Sequence, residues 1–92
     1  MESLLNLLQR EQDIANYYNE NQRKINLLKE DIGKLKIKCD AIPSEELNHE
    51  LTQKSQEASN LHFINCNLIK ENEEVRKKMA LYISGMKDWL LD

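Results

Sequence analysis

His62 and Cys66 are the residues of this chain best spaced to do chemistry. Four apart on a helix, they share one face, and an imidazole nitrogen beside a thiolate sulfur can begin a zinc site. A structural zinc needs four such ligands. The other cysteine, Cys39, lies in the opposite half of the chain, and no CxxC occurs. No metal site is therefore expected: Cys39 reads as a core filler and Cys66 as a thiol on the flank. In a hairpin Cys39 is not level with Cys66, since its partner lies near Leu47, so no disulfide within the chain is expected. Nucleophilic catalysis needs a base and an orienting group around Ser or Cys. His49 and His62 are the only histidines, and no Gly-rich turn occurs that would shape an oxyanion hole or cradle a phosphate. The carboxylates are spread along polar stretches. The expectation is a protein that is not an enzyme and carries no cofactor.

Two short motifs point to binding rather than reaction. "LLNLL" (Leu4 to Leu8) has the LxxLL spacing with which coactivator helices enter receptor grooves, three leucines on one face. Any leucine-rich helix produces that spacing, and Leu4 and Leu7 also belong to a longer apolar seam. "EEVRKK" (Glu73 to Lys78) sets three cations beside two acids. It reads as a solvated helix face, not a phosphate-binding patch. Net charge is -3, so no nucleic-acid partner is expected. No apolar run approaches the roughly 20 residues that span a bilayer, so no membrane partner is expected either. The opening "MESLLNLLQREQ" has neither the basic start nor the apolar length of a signal peptide. Two thiols without a secretory signal fit a reducing, intracellular setting, cytoplasmic or nuclear.

The elements that carry these residues are long helices. Of 92 residues, two are Gly, one is Pro, and the aromatics are one Phe, one Trp and three Tyr, while Leu, Lys, Glu, Asn and Gln abound. So small a chain buries little of its surface alone, and an oligomer is expected. In the first half, Leu4, Leu7, Glu11, Ile14, Tyr18, Asn21, Ile25, Leu28, Ile32, Leu35, Cys39 and Ile42 follow steps of three and four without a slip. All but Glu11 and Asn21 are apolar or aromatic. This is the heptad signature of a coiled coil, with Tyr18 and Ile25 at a and Leu7, Ile14 and Leu28 at d.

The second half has its own seam: Leu47, Leu51, Lys54, Ala58, Leu61, Asn65, Leu68, Asn72, Val75, Met79, Tyr82, Met86 and Trp89. Lys54, Asn65 and Asn72 interrupt it. Ile69, Ile83 and Leu90 lie beside it and widen the stripe, which suits a bundle of three or four helices better than a strict pair.

The seams are out of phase, and the register changes at Pro43, the only proline. Proline biases Ile42 toward an extended backbone and ends the helix before it. Ser44 is a good N-cap with Glu45 and Glu46 in the first turn, while Lys34, Lys36 and Lys38 crowd the end of the preceding helix. Residues 1–42 thus form a first helix, 43–46 a turn and cap, and 47–92 a second helix with an apolar end. In a hairpin closed at this point, the numbers of facing residues sum to about 86. Asn21 then meets Asn65 and Ile25 meets Leu61. Buried amides that meet can bond and fix register. The same rule sets Lys54 against Ile32 and Asn72 against Ile14, which are poor layers. In the alternative, two chains run parallel and kink at Pro43, with Asn65 and Asn72 facing their own copies. A hairpin should be about 65–75 Å long and the parallel rod about 130 Å.

The fold expected is all-α, most simply an antiparallel helical hairpin that pairs again into a bundle. Leu4, Leu7, Ile14, Tyr18, Ile25, Leu28, Ile32, Leu35, Leu51, Leu61, Leu68, Val75 and Met79 are expected to drive association. Asn21, Asn65 and Asn72 are expected to set register. The apolar end, with Tyr82, Met86, Trp89 and Leu90, is expected to dock a partner. The partners expected are further copies of the chain (a homodimer or higher), another coiled-coil protein, or both. The function expected is a structural or adaptor subunit of an intracellular assembly: cytoskeletal, centrosomal, kinetochore or meiotic chromosome, the usual homes of coiled coils. The alternative is a regulatory module or transcriptional cofactor that docks through Leu4, Leu7 and Leu8.

Overall fold

The computed structural model describes the backbone of residues 3–91 and the side chains of residues 3–85. Two helices account for nearly all of them: α1, Leu4–Ala41, and α2, Glu45–Leu91. They lie antiparallel in a hairpin 74 Å long and 18 × 14 Å across. The length follows from α2, whose 47 residues rise about 1.5 Å each.

The ends of α1 form as their residue types require. Ser3 has extended backbone (φ -75, ψ 158), and its Oγ accepts from the Asn6 backbone N–H at 3.1 Å, removing one orphan donor of the first turn. At the other end Ile42 leaves the helix with φ -138 and ψ 99, the region imposed by Pro43. Its N–H still donates to the Lys38 carbonyl at 2.9 Å and closes the last turn. The side chain pays for that exit: Ile42 continues the spacing of the first seam, yet it is 70% exposed, because an extended residue no longer points along the helical stripe.

Ser44 then starts α2. Its carbonyl accepts from the Asn48 N–H at 3.0 Å and its Oγ from the Leu47 N–H at 3.5 Å. Glu45 and Glu46 fill the first turn, where carboxylates favour the positive end of the helix dipole. Lys38 stands in the last turn of α1, at the negative end. The turn between the helices therefore needs only three residues outside them.

Every seam position from Leu4 to Cys39 and from Leu47 to Tyr82 is buried or half-buried. Leu7, Ile14 and Val75 form one tight cluster, with Leu68, Met79 and Tyr82 packed against it. Ile25 and Leu35 continue the buried line toward the turn. The core is one side chain deep, since each helix has a single neighbour. Leu7 is fully buried and Ile37, on the outer face of α1, is 71% exposed. Leu7→Ala should therefore lower unfolding stability by about 2–5 kcal/mol. Ile37→Ala should change it by less than about 0.5 kcal/mol. Urea unfolding followed by circular dichroism reads both; a larger loss at Ile37 would contradict this packing.

Candidate interaction surface of the hairpin

The polar residues of the two seams are met in three different ways. Asn21 and Asn65 are 2% and 3% exposed, and the Asn21 Nδ2 donates to the Asn65 Oδ1 at 3.1 Å. Asn65 Nδ2 in turn donates to the Tyr18 backbone carbonyl at 3.3 Å. A buried amide without partners costs about 1–3 kcal/mol, so this exchange makes both side chains tolerable in an apolar line.

Lys54 is handled by a neighbour outside the seam. Its Nζ donates to Asp31 Oδ2 at 3.0 Å, and this hydrogen bond raises the lysine pKa above its ordinary value of 10.5. The aliphatic stem covers the apolar layer while the ammonium reaches the flank. Glu11, the charged member of the first seam, lies 3.7 Å from Arg76 Nε. Arg10 donates to Glu71 Oε1 at 3.2 Å. These ion pairs all cross between the helices in antiparallel register. They sit at or near the surface, so each adds little stability and mainly disfavours other alignments.

Asn72 has no such solution. Its Oδ1 is buried without a hydrogen-bond partner. It walls a shallow groove of about 210 Å³ between Ile14, Ala15 and Tyr18 of α1 and Leu68, Ile69 and Asn72 of α2. That groove marks one of the two broad sides of the hairpin. Along this side α1 presents Leu5, Leu8, Gln12, Ala15, Asn19, Gln22 and Asn26, with no charge until Lys29. From α2 it receives Asn48, Thr52, Ser55, Ser59, His62, Cys66 and Ile69, then Glu73, Arg76, Ala80 and Ile83. The opposite side is dense with charge, including Arg10, Asp13, Glu20, Lys24, Asp31 and Lys34 of α1 with Glu50, Glu57, Glu71, Glu74 and Lys78 of α2.

The other residues singled out by spacing fall as follows. Leu7, Ile14, Ile25, Leu35 and Val75 are buried, and Leu4, Tyr18, Leu28, Ile32, Leu51, Leu61, Leu68 and Met79 are half-buried. Tyr82 packs on the Leu7 cluster. The side chains of Met86, Trp89 and Leu90 lie outside the described residues. Within the LxxLL motif, Leu7 is 0% exposed, Leu4 half-buried and Leu8 48% exposed. His62 Nε2 lies 3.7 Å from Cys66 Sγ on the exposed face. Among the described residues no group of three or more potential ligands could hold a metal ion. Among them, too, no helix is long and apolar enough to cross a membrane. Comparison with family models, curated proteins and solved structures gives no match.

The groove and the cross-helix ion pairs escaped the reading by seam alone. Their signal lay in the flanking positions, where Arg10 and Glu71 are complementary and Ala15 and Ile69 uncharged. A double-mutant cycle tests the amide pair. Asn21→Leu should cost about 1–3 kcal/mol, because it strands the Asn65 carbonyl oxygen. The double change with Asn65→Leu should recover most of that loss. Chemical unfolding of the four proteins measures it, and additive single losses would contradict a direct bond.

Proposed function

We propose that the chain is a non-enzymatic coiled-coil subunit that joins other protein chains in an assembly, acting as a stiff, slender rod. The observation that carries this is the use of both seams along nearly the whole 74 Å hairpin. Among the described residues the seam side chains converge on helix packing. His49 and His62 are about 20 Å apart along α2, so neither supports the other as a catalytic pair. A long rod with a thin core has two broad sides, and helix-to-helix burial is the chemistry it offers.

In this reading Asn21 and Asn65 fix the register of the rod, and the seam apolar residues set its stiffness. The end near Tyr82 and the groove side are the places for partners. The free thiols Cys39 and Cys66 suit cytoplasm or nucleus, where cytoskeletal, centrosomal, kinetochore and meiotic chromosome scaffolds assemble. The burial of Leu7 counts against docking through the LxxLL leucines, since α2 would have to leave before Leu7 could enter a groove.

Affinity capture after brief chemical cross-linking, with the whole chain as bait, tests the proposal. The wild-type chain should recover a recurrent helical partner, and Ile37→Asp should recover it equally. Val75→Asp, which places a charge in the 1% exposed core position, should lose it. Unchanged recovery by Val75→Asp, or turnover of a substrate by the purified chain in a hydrolase and transferase screen, would overturn the reading.

A further inference from the structure

We infer that the groove side of the hairpin is covered by the same side of a second copy, giving a four-helix bundle of two hairpins. This deepens the assembly reading above and rests on it. The first argument is area. The chain exposes 7364 Å². A compact monomer of its 10.9 kDa exposes about 5,600 Å². The excess of about 1,800 Å² exceeds the roughly 800 Å² that each partner gives to a standard stable interface. A side 74 Å long and 18 Å wide is large enough to supply such an interface.

The second argument is charge. Burying the opposite side would desolvate the many charged groups that crowd it, at a cost that ion pairs rarely return in full. The groove side carries small, amide and hydroxyl side chains with Leu8, Ile69 and Ile83 about half exposed. Its charges, Lys29, Lys36 and Asp40 of α1 with Glu45, Glu73 and Arg76 of α2, balance. A second copy related by a two-fold axis along the rod sets α1 of one hairpin on α2 of the other, antiparallel. Lys29 and Lys36 then come level with the uncharged stretch from Asn48 to Ser59. Glu73 and Arg76 come level with Gln12 and Leu8. Like charges come level only at the turn end, where Asp40 of one copy lies near Glu45 of the other, and the apolar residues Leu8 and Ile83 of the two copies gather at the opposite end.

The third argument is the orphan acceptor. Asn72 Oδ1 has no partner within the chain and stands in the wall of the groove. The oxygen is closed off from solvent within one hairpin, so Asn72 would have to turn outward to meet an amide donor such as Gln12 of a second copy, which lies close to its level.

Sedimentation equilibrium on the full chain tests the inference, with circular dichroism as the check on folding. The wild-type chain should have the mass of two copies. Ala15→Glu and Ile69→Lys should each weaken self-association by about a hundredfold or more, at unchanged helicity. An equimolar mixture of these two variants should restore the dimer, because the new charges face each other across the interface. Leu27→Glu, on the charged side, should leave the mass unchanged. A wild-type chain of single-copy mass at every concentration would overturn the second copy, while the partner capture above would still judge the assembly reading. A dimer that survives Ala15→Glu and Ile69→Lys, or is broken by Leu27→Glu, would overturn the choice of side.

Discussion

The hydrogen bond between Asn21 and Asn65 is the constraint around which the hairpin is arranged. Apolar layers alone specify register weakly, because most of them would find another apolar partner after a shift of one heptad. A buried amide changes that. A heptad shift one way sets Asn21 against Ala58 and Asn65 against Ile14; the other way sets Asn65 against Leu28 and leaves only Asn21 facing an amide, that of Asn72. Asn65 also reaches the Tyr18 carbonyl, so one layer satisfies a backbone group as well as both amides. Arg10–Glu71, Glu11–Arg76 and Asp31–Lys54 agree with the alignment that the short turn and this layer share, and they flank the layer toward the open end and toward the turn.

Much of this architecture was legible in the sequence. Nearly every residue named by the steps of three and four is buried or half-buried, joined from the flanks by Arg10, Ala15, Gln22, Asp31, Ile64 and Cys66, and the change of phase at Pro43 located the turn. Asn21 and Asn65 could be paired because their numbers sum to the value that the turn dictates. Ile42 shows where periodicity fails: spacing assumes a helix, and the residue before proline has already left it. Lys54 shows another failure. Opposite Ile32 it looked like a poor layer, but a long side chain is not confined to its layer, and Asp31 lies within reach. Asn72, shorter and less adaptable, remained as poor as its position implied.

The surface was less legible, because its organisation depends on which flanks the antiparallel fold brings together. Neither Ala15 nor Ile69 is informative alone. Once the helices pair, they border one groove, and the uncharged stretches of both helices fall on one broad side. More of the charges gather on the other, beside the exposed Tyr17, Leu27 and Leu81. A rod with unlike sides suits a bundle or a layered assembly better than an isolated spacer, which would be expected to carry charge all round. The expected docking role of the apolar end rests on Met86, Trp89 and Leu90, whose side chains fall beyond those described.

The antiparallel hairpin is the claim on which the rest stands, and a single distance tests it most directly. Spin labels at Gln9 and Lys77, in a chain with Cys39→Ser and Cys66→Ser, would be measured by pulsed dipolar spectroscopy. Dilution with unlabelled chain confines the signal to pairs within one molecule. The two sites are level on the outer faces of adjacent helices, so the account predicts a narrow distribution at about 20–35 Å. A distance near 100 Å, the rise of one continuous helix between these residues, would contradict it and make Pro43 a kink in an extended rod.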